Sequence, residues 1–292
     1  MDLFAQTIVN GLLIGGLYVA FSIGFALAFG VLDIVDFAVG EWVMLGGFAG
    51  YWLWVWLGVD PFLLLPVVLV VFAGVGYVLA PLLYRVRTSR YARPALMALA
   101  FTFGVATFLR GGALTAWGFN TRSVQTALGA QSLALGPLNL PALRLVAFAF
   151  AIAITLAFML FLYRTRLGLA IRATAQNKQN AGLMGVDVKQ VSALVYALYA
   201  GLTGTVGVLM AAIYSVTPEV GVRYTLFAFF VVVLAGLGSL PGVFAAGLFL
   251  GLLEALVAVY VGGNYTFLAV FATLYLVLLV SPTGILRRGA TV

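Results

Sequence analysis

Long apolar runs, each about the length that crosses a lipid bilayer, dominate this chain. The runs cover residues 7–29, 36–57, 62–84, 94–117, 142–163, 191–215, 224–261 and 264–281. A helix needs about 20 apolar residues to cross the hydrocarbon core of a membrane. Only 8% of the residues are charged and 64% are hydrophobic, which leaves too few charges to cover a soluble surface. The sequence therefore predicts an all-α polytopic membrane protein.

The run at 224–261 is interrupted by GSLPG at 238–242. Counting it as two short halves predicts nine crossings, and eight remain if one half only re-enters the membrane. Broken spans free backbone groups, which are tolerated only inside protein or along a cavity. The break is therefore either part of a transport site or a simple turn between two packed helices. The candidate break and packing residues are Gly238, Ser239, Pro241, Gly242, Gly247, Gly251 and Glu254.

The distribution of lysine and arginine predicts the orientation of the chain. Most of the 15 basic residues fall at 85–93, at 164–190 and at 287–288. Assigning these regions to the cytoplasm places the N-terminus outside and the C-terminus inside, which nine crossings satisfy directly. The loop at 118–141 then lies on the periplasmic side, and its turn formers and short alternating runs predict a small hairpin. Residues 1–292 form a single transmembrane domain in this interpretation.

Several classes of function are excluded by composition. The chain contains no cysteine and no histidine, so it has no disulfide, no Cys or His metal site and no catalytic triad built on these residues. No segment resembles GxxxxGK[ST], so the chain has no nucleotide-binding loop of its own. The net charge is +7. The basic residues behind it lie between apolar spans, where they indicate topology rather than nucleic-acid binding.

A polar stretch, IRATAQNKQNAGLMGV at 171–186, stands between two of the spans. Its pattern predicts a short helix from Ala170 to Met184, with apolar positions that include Leu183 and a stop at Gly185. Such a helix either docks in a groove of another protein or lies on anionic lipid, with basic side chains meeting the head groups. The candidate residues are Arg172, Ala175, Asn177, Lys178, Ala181 and Gly185.

The segment LDIVDFAVGEWVMLGG, residues 32–47, carries three of only eight acidic residues. Asp33 and Asp36 precede the second span, where solvated loop acids and helix N-caps are common. Glu41 lies inside the predicted span, where an ionisable group is expensive and usually faces a cavity, a partner or a pathway. The candidate substrate-pathway residues are Asp36, Phe37, Gly40 and Glu41.

Two charged residues lie close together on the predicted outer side, in TPEVGVRYT at 217–225. Glu219 and Arg223 are four residues apart, the spacing that brings two side chains together on one helix face. The spacing predicts either a surface ion pair of little energetic weight or a periplasmic docking contact.

Three motifs in order resemble the permease subunits of branched-chain amino-acid type ABC importers, the LivH/LivM family, and the early motif is closer to the LivH branch. The early motif resembles G-x-(x)-INFAHGE-x-x-M-x-G, with Asp36 where Asn is usual and Val39 where His is common. It is matched by Gly30, Phe37, Ala38, Gly40, Glu41, Met44 and Gly46. The cytoplasmic motif, R-A-x-A-x-N-x-x-x-A-x-x-x-G-I, is matched by Arg172, Ala173, Ala175, Asn177, Ala181, Gly185 and Val186. The late motif, G-G-x-G-S-x-x-G…G-x-x-x-G…E, is matched by Gly238, Ser239, Gly242, Gly247, Gly251 and Glu254, with Ala235 in place of its first Gly.

The resemblance implies a transport subunit and not an enzyme, in a bacterial or archaeal plasma membrane. The polar helix would be the coupling helix, seated on one of two ATPase subunits that carry ATP and magnesium, while this chain binds no cofactor. A second permease, either LivM-like or a second copy, and a periplasmic binding protein would complete the importer. The solute would be a branched-chain amino acid or a related amino acid, amide, urea or organic acid.

Two other classes of transporter compete with an ATP-driven importer. One is a secondary transporter that couples Glu41 or Asp36 to protons or sodium, and the other is a passive channel. The polar stretch at 171–185 favours the importer, because a secondary carrier has no evident need for a dock that receives an ATPase.

Overall fold

Helices make up most of the computed structural model, which describes residues 2–89, 93–124, 126, 128–129, 131–135, 138–236, 238–281 and 284. The helices are α1 (Asp2–Leu32), α2 (Val39–Leu57), α3 (Pro61–Arg87), α4 (Pro94–Trp117), α5 (Ala142–Arg164), α6 (Arg166–Gln176), α7 (Lys178–Leu183), α8 (Val188–Ile213), α9 (Val220–Ala235), α10 (Leu240–Val257) and α11 (Thr266–Val280). A π-helical turn, Ala258–Gly262, and a 3₁₀ turn, Gly263–Tyr265, join α10 to α11.

Six segments of the described chain are long and apolar enough to cross a membrane. They are Leu3–Leu32, Pro61–Arg87, Pro94–Trp117, Ala142–Arg164, Val188–Ile213 and Leu240–Val280. The last has 41 residues and contains both α10 and α11, while α9 is a shorter apolar helix. The predicted all-α polytopic membrane protein is confirmed. Arg90, Arg287 and Arg288, which contribute to the predicted orientation, lie outside the described residues.

Two helices, α1 and α8, form the centre of the bundle. Most of their side chains are buried, among them Phe21 of α1 and Tyr199 of α8. Helices α3, α4 and α5 lie at the periphery and expose large apolar side chains, such as Val70, Phe108 and Leu156. A broad apolar surface of this kind marks a contact with membrane or protein, and on helices of this length it is the face expected to meet lipid.

Helices α1 and α10 run antiparallel and approach until their backbones touch. Gly11 faces Leu252, and one turn further along α1 Gly15 faces Leu248. A Cβ atom on Gly251 would lie 2.4 Å from the Cα atom of Gly15, so only glycine fits between the two helices. Small residues drive such contacts in membranes, because lipid hydrocarbon removes the hydrophobic force between helices.

The loop at 118–141 is anchored at the start of α1. Strands β1 (Ser132–Leu135) and β2 (Leu138–Pro141) pair antiparallel within it, which confirms the predicted hairpin. The Nε2 of Gln6 donates to the carbonyl oxygen of Asn139 at 2.6 Å, and the Asn139 N–H donates to the Oε1 of Gln6 at 2.9 Å. The hairpin therefore sits over the N-terminal end of α1.

The segment that contains α6 and α7 is anchored at the other end of α1. The Nζ of Lys178 donates to the carbonyl oxygen of Leu32, the last residue of that helix, at 3.1 Å. A helix of 31 residues is about 46 Å long at about 1.5 Å per residue. The hairpin loop and the α6–α7 segment therefore lie at opposite ends of α1, separated by more than the thickness of a bilayer core.

Candidate translocation pathway and coupling segment

Asp36 lies in the turn between α1 and α2. The span predicted at 36–57 begins too early, because α2 starts at Val39. Asp36 is 3% exposed; its Oδ1 accepts a hydrogen bond from the N–H of Ala38 at 2.8 Å, and its Oδ2 accepts one from the hydroxyl of Tyr196 at 2.9 Å. The first bond shapes the turn and delays the helix, and the second ties the turn to α8. Buried polar groups are stable when they are paired in this way.

Replacing Asp36 by alanine is expected to lower the free energy of unfolding by about 2–3 kcal/mol, because two buried donors lose their acceptor. The matched control is Asp36→Asn, whose amide oxygen still accepts from Ala38. Thermal unfolding of the purified variants in detergent measures the difference. An alanine variant that melts at the temperature of the wild type would show that the turn does not depend on this linkage.

Asp33, at the start of the same turn, is an exposed residue rather than a helix N-cap. It has a left-handed φ of 58°, a conformation that Asp tolerates better than most residues. Its carboxylate pairs with Arg87 in the last turn of α3. Exposed pairs of this kind contribute little to stability, so Asp33 orients the loop more than it holds the fold.

The first turn of α2 packs directly on the first turns of α9. The Oγ1 of Thr225 accepts a hydrogen bond from the N–H of Gly40 at 3.0 Å and donates to the carbonyl oxygen of Phe37 at 3.3 Å. A Cβ atom on Gly40 would lie 1.8 Å from the carbonyl oxygen of Gly221, so no larger residue fits there. The half-buried Phe37 ring packs edge-on against Phe103 of α4, with 6.2 Å between ring centres.

Glu41 places a carboxylate at the N-terminal end of α9. Its side chain is 2% exposed and lies against Gly221, in the first turn of that helix. Its Oε2 has no hydrogen-bond partner among the described residues. An unpaired buried carboxylate oxygen is costly, and the positive end of the α9 dipole offsets part of that cost. Asp36, Phe37, Gly40 and Glu41 thus lie at one junction of α2, α8 and α9, and their part in a substrate pathway stays a prediction.

The break between α9 and α10 has local causes that can be read from its residues. Gly238 has a left-handed φ of 88°. Ser239 caps α10, since its Oγ accepts from the N–H of Gly242 at 3.2 Å, and Pro241 occupies the first turn, where its missing N–H is not needed. Further along α10, a Cβ atom on Gly247 would lie within 3.0 Å of the backbone of α1. The segment is a capped turn followed by a tightly packed helix.

Glu254, near the end of α10, belongs to a polar cluster that the sequence did not predict. Its carboxylate accepts hydrogen bonds from the hydroxyl of Tyr18 in α1 and from Nη2 of Arg223 in α9, the latter at 2.6 Å. The predicted ion pair between Arg223 and Glu219 is wrong, because Glu219 is exposed and Arg223 pairs with Glu254. The available signal was the rarity of arginine inside an apolar helix, which calls for a partner that spacing alone cannot identify.

The polar stretch forms two short helices, and the single helix predicted over Ala170–Met184 is wrong. Asn177 ends α6 and begins α7, and its Oδ1 caps α7 by accepting from the N–H of Asn180 at 2.9 Å. Asparagine breaks the helix because its short side chain bonds to the neighbouring backbone. The stop at Gly185 is observed, with a left-handed φ of 87°.

One side of the α6–α7 segment packs on the bundle. Ile171 and Ala181 are buried, and Ala175 is half-buried. The guanidinium of Arg172 stacks over the ring of Tyr163 at 4.8 Å from its centre. Replacing Ala181 by a bulky residue would therefore disturb this packing before it disturbed any docked protein.

Lys178 faces the bundle as well. Its ammonium group bonds to the end of α1, and burial lowers its pKa below the ordinary value, with the nearby Asp33 acting in the opposite direction. A side chain held in this way does not fit the interpretation in which Lys178 meets lipid head groups. It fixes α7 to the end of α1 instead.

The free end of α7 presents two apolar side chains to solvent. Leu183 and Met184 are 81% and 86% exposed, so the apolar position predicted at Leu183 does not pack on the rest of the described chain. Large apolar side chains on an exposed polar segment mark a contact surface.

Within the described residues, no group of acidic side chains is arranged to hold a metal ion.

Long apolar helices, packed through glycine around a few paired ionised groups, define this chain as a polytopic membrane transport protein. Residues 7–280 match the family model described as "Branched-chain amino acid transport system / permease component", and the chain belongs to that family. It is a multi-pass plasma-membrane protein and a transport subunit rather than an enzyme, which confirms the prediction from the sequence.

Relatives support the same family over nearly the whole chain. The chain is 30% identical to the high-affinity branched-chain amino acid transport system permease protein LivH of Salmonella typhimurium and 31% identical to that of Escherichia coli K12; in each case 98% of this chain and 96% of the relative are covered. It is 29% identical, with the same coverage, to the permease protein BraD of Pseudomonas aeruginosa, which belongs to a transport system of the same description. No solved structure matches the chain.

Proposed function

We propose that this chain is the permease subunit of an ATP-driven importer that moves a branched-chain amino acid, or a related small polar solute, into the cytoplasm. The match of residues 7–280 to the permease-component family carries the proposal. The names of the relatives supply the solute class. A periplasmic binding protein delivers the solute, and a second permease, either related or identical, completes the pathway.

We further propose nine membrane crossings, with the N-terminus outside and the C-terminus in the cytoplasm. Helices α1–α5 and α8–α11 supply the nine, of which α9 and α11 are short, with 16 and 15 residues. The proposal is supported by the placement of the hairpin and the α6–α7 segment at opposite ends of α1. The positive-inside rule assigns the end with α6 and α7 to the cytoplasm, because that segment carries several basic residues.

The α6–α7 segment is the proposed dock for an ATPase subunit. Each of the two permeases receives one ATPase in this way. The inner side of the segment packs on α1 and α5, so a push on α7 moves the bundle. Its outer end offers Leu183 and Met184 as apolar anchors for a groove, the mode by which helices are commonly received. ATP and magnesium bind the ATPase subunits, since the chain has no nucleotide-binding loop.

Uptake of leucine into proteoliposomes is expected to require ATP, both ATPase subunits and the binding protein, and to fall to background when any of them is omitted. The reason is that the proposed energy source lies outside this chain. Dissipating proton and sodium gradients with ionophores is the control and is expected to leave uptake unchanged. Leucine uptake by this chain alone, driven by an imposed gradient and indifferent to ATP, would overturn the proposal in favour of a secondary transporter.

A further inference from the structure

Arg223 is a charged residue on the surface of an apolar helix. It lies in the first turn of α9, and all other residues of that helix are uncharged. Its side chain is 47% exposed, whereas its partner Glu254 is 11% exposed. One guanidinium nitrogen is occupied by Glu254, and the exposed part of the group faces outward from the described chain.

The depth of this cluster makes lipid an unfavourable neighbour for Arg223. The carboxylate of Glu254 is bonded to the hydroxyl of Tyr18, which stands about 24 Å from the start of α1 and about 21 Å from its end at about 1.5 Å per residue. The cluster therefore lies near mid-depth in the membrane. A half-exposed guanidinium there is costly in hydrocarbon and is expected to face a water-filled cavity or a partner.

The surroundings of Arg223 suit a zwitterionic solute with an apolar side chain. The guanidinium stands 5.7 Å from the ring centre of Phe227 and 5.9 Å from that of Phe267. Guanidinium presents five N–H donors in a plane that matches a carboxylate, and the bond to Glu254 uses one nitrogen of that plane. Glu254 and Tyr18 hold the arginine in place, and the negative charge of Glu254 keeps its attraction for a second carboxylate moderate, as release from a pathway requires.

We propose that Arg223, positioned by Glu254 and Tyr18, lines the translocation pathway and binds the carboxylate of the amino acid in transit. The proposal rests on the function proposed above. The partly exposed ring of Phe267 supplies apolar surface for the side chain of the solute, while the buried ring of Phe227 backs the guanidinium. The alternative occupant of this face is the second permease, which would keep water and solute away from Arg223.

The chain contains no cysteine, so each Cys variant of this chain carries a single thiol. Thiol labelling can therefore report on one chosen position of the chain. In the assembled transporter, Arg223→Cys is expected to lower leucine uptake about tenfold or more, the loss of one charge-assisted hydrogen bond. Aminoethyl methanethiosulfonate, which returns a positive charge, is expected to restore much of that uptake, whereas the sulfonatoethyl reagent is not. Protection by solute is measured at a neighbouring position, because the carboxylate can be recognised only while Arg223 is present.

Two further variants keep the outcome decisive. Phe267→Cys leaves the ion pair intact and reports on the same face, so it also serves if Arg223→Cys fails to fold. Leucine is expected to slow the labelling of this thiol, and leucinamide, which lacks the carboxylate, is not. Val70→Cys, on the exposed apolar face of α3, is expected to resist charged reagents and to transport normally.

The failure of this inference differs from the failure of the proposed function. Thiols at 223 and 267 that do not react, or a thiol at 267 that reacts at the same rate with and without leucine, would overturn the placement of Arg223 in the pathway while ATP-driven uptake by the wild type stands. A wild-type transporter without ATP-driven uptake would instead contradict the function on which the inference rests.

Discussion

Replacing Gly40 by alanine is expected to prevent most of the protein from reaching its folded state. The added Cβ atom would lie 1.8 Å from the carbonyl oxygen of Gly221 and 2.5 Å from the backbone nitrogen of Thr225. Backbone atoms cannot rotate away as side chains do, so α2 and α9 would have to separate. Overpacking of this kind costs about 3 kcal/mol or more. The yield of monodisperse protein in fluorescence-detected gel filtration measures the effect.

The matched control is Gly74→Ala, on the exposed face of α3, where no atom lies within 4 Å of the new methyl group. This change is expected to leave the yield unchanged or slightly raised, because alanine favours a helix over glycine by about 1 kcal/mol. Equal yields for the Gly40 and Gly74 variants would mean that α2 and α9 do not touch at their first turns. The comparison therefore isolates the contact from the general effect of losing a glycine.

Replacing Leu183 and Met184 together by serine is expected to lower ATP-driven uptake about tenfold to a hundredfold while the permease still folds. Each apolar side chain buried in a groove stabilises a complex by about 1.5–3 kcal/mol, and both are exposed in this chain, so the fold does not need them. The measurements are uptake, binding of the ATPase subunits and stimulation of ATP hydrolysis by the loaded binding protein.

The control for the serine pair is the exchange Leu183→Met with Met184→Leu, which keeps the apolar volume and is expected to keep coupling. Serine variants with wild-type uptake and ATPase binding would move the dock away from the end of α7 and revive the lipid-surface interpretation. Changes at Asn177 or Ala181 are less informative, because Asn177 caps α7 and Ala181 is buried against the bundle.

Much of the site could be located from the sequence but not its contacts. The acids at 33, 36 and 41 were singled out because charges are rare in this chain, and the structure places two of them in buried positions. Which groups meet them was not predictable, since Tyr196 stands 160 residues from Asp36 and Glu254 stands 236 residues from Tyr18. Local spacing suggested Glu219 as the partner of Arg223, because the sequence does not show that the distant Glu254 comes into contact with it.

The sequence by itself determined the class of this protein, the approximate spans and the two polar segments between them. Those properties follow from the bilayer, which requires helices of a certain length and makes every charge costly. Only the tertiary structure decided which glycines pack against the backbone of a neighbouring helix, which face of α7 is exposed and which acid pairs with Arg223. These depend on how distant helices approach one another, and apolar residues of similar hydrophobicity fill both the core and the lipid face, so composition cannot separate the two.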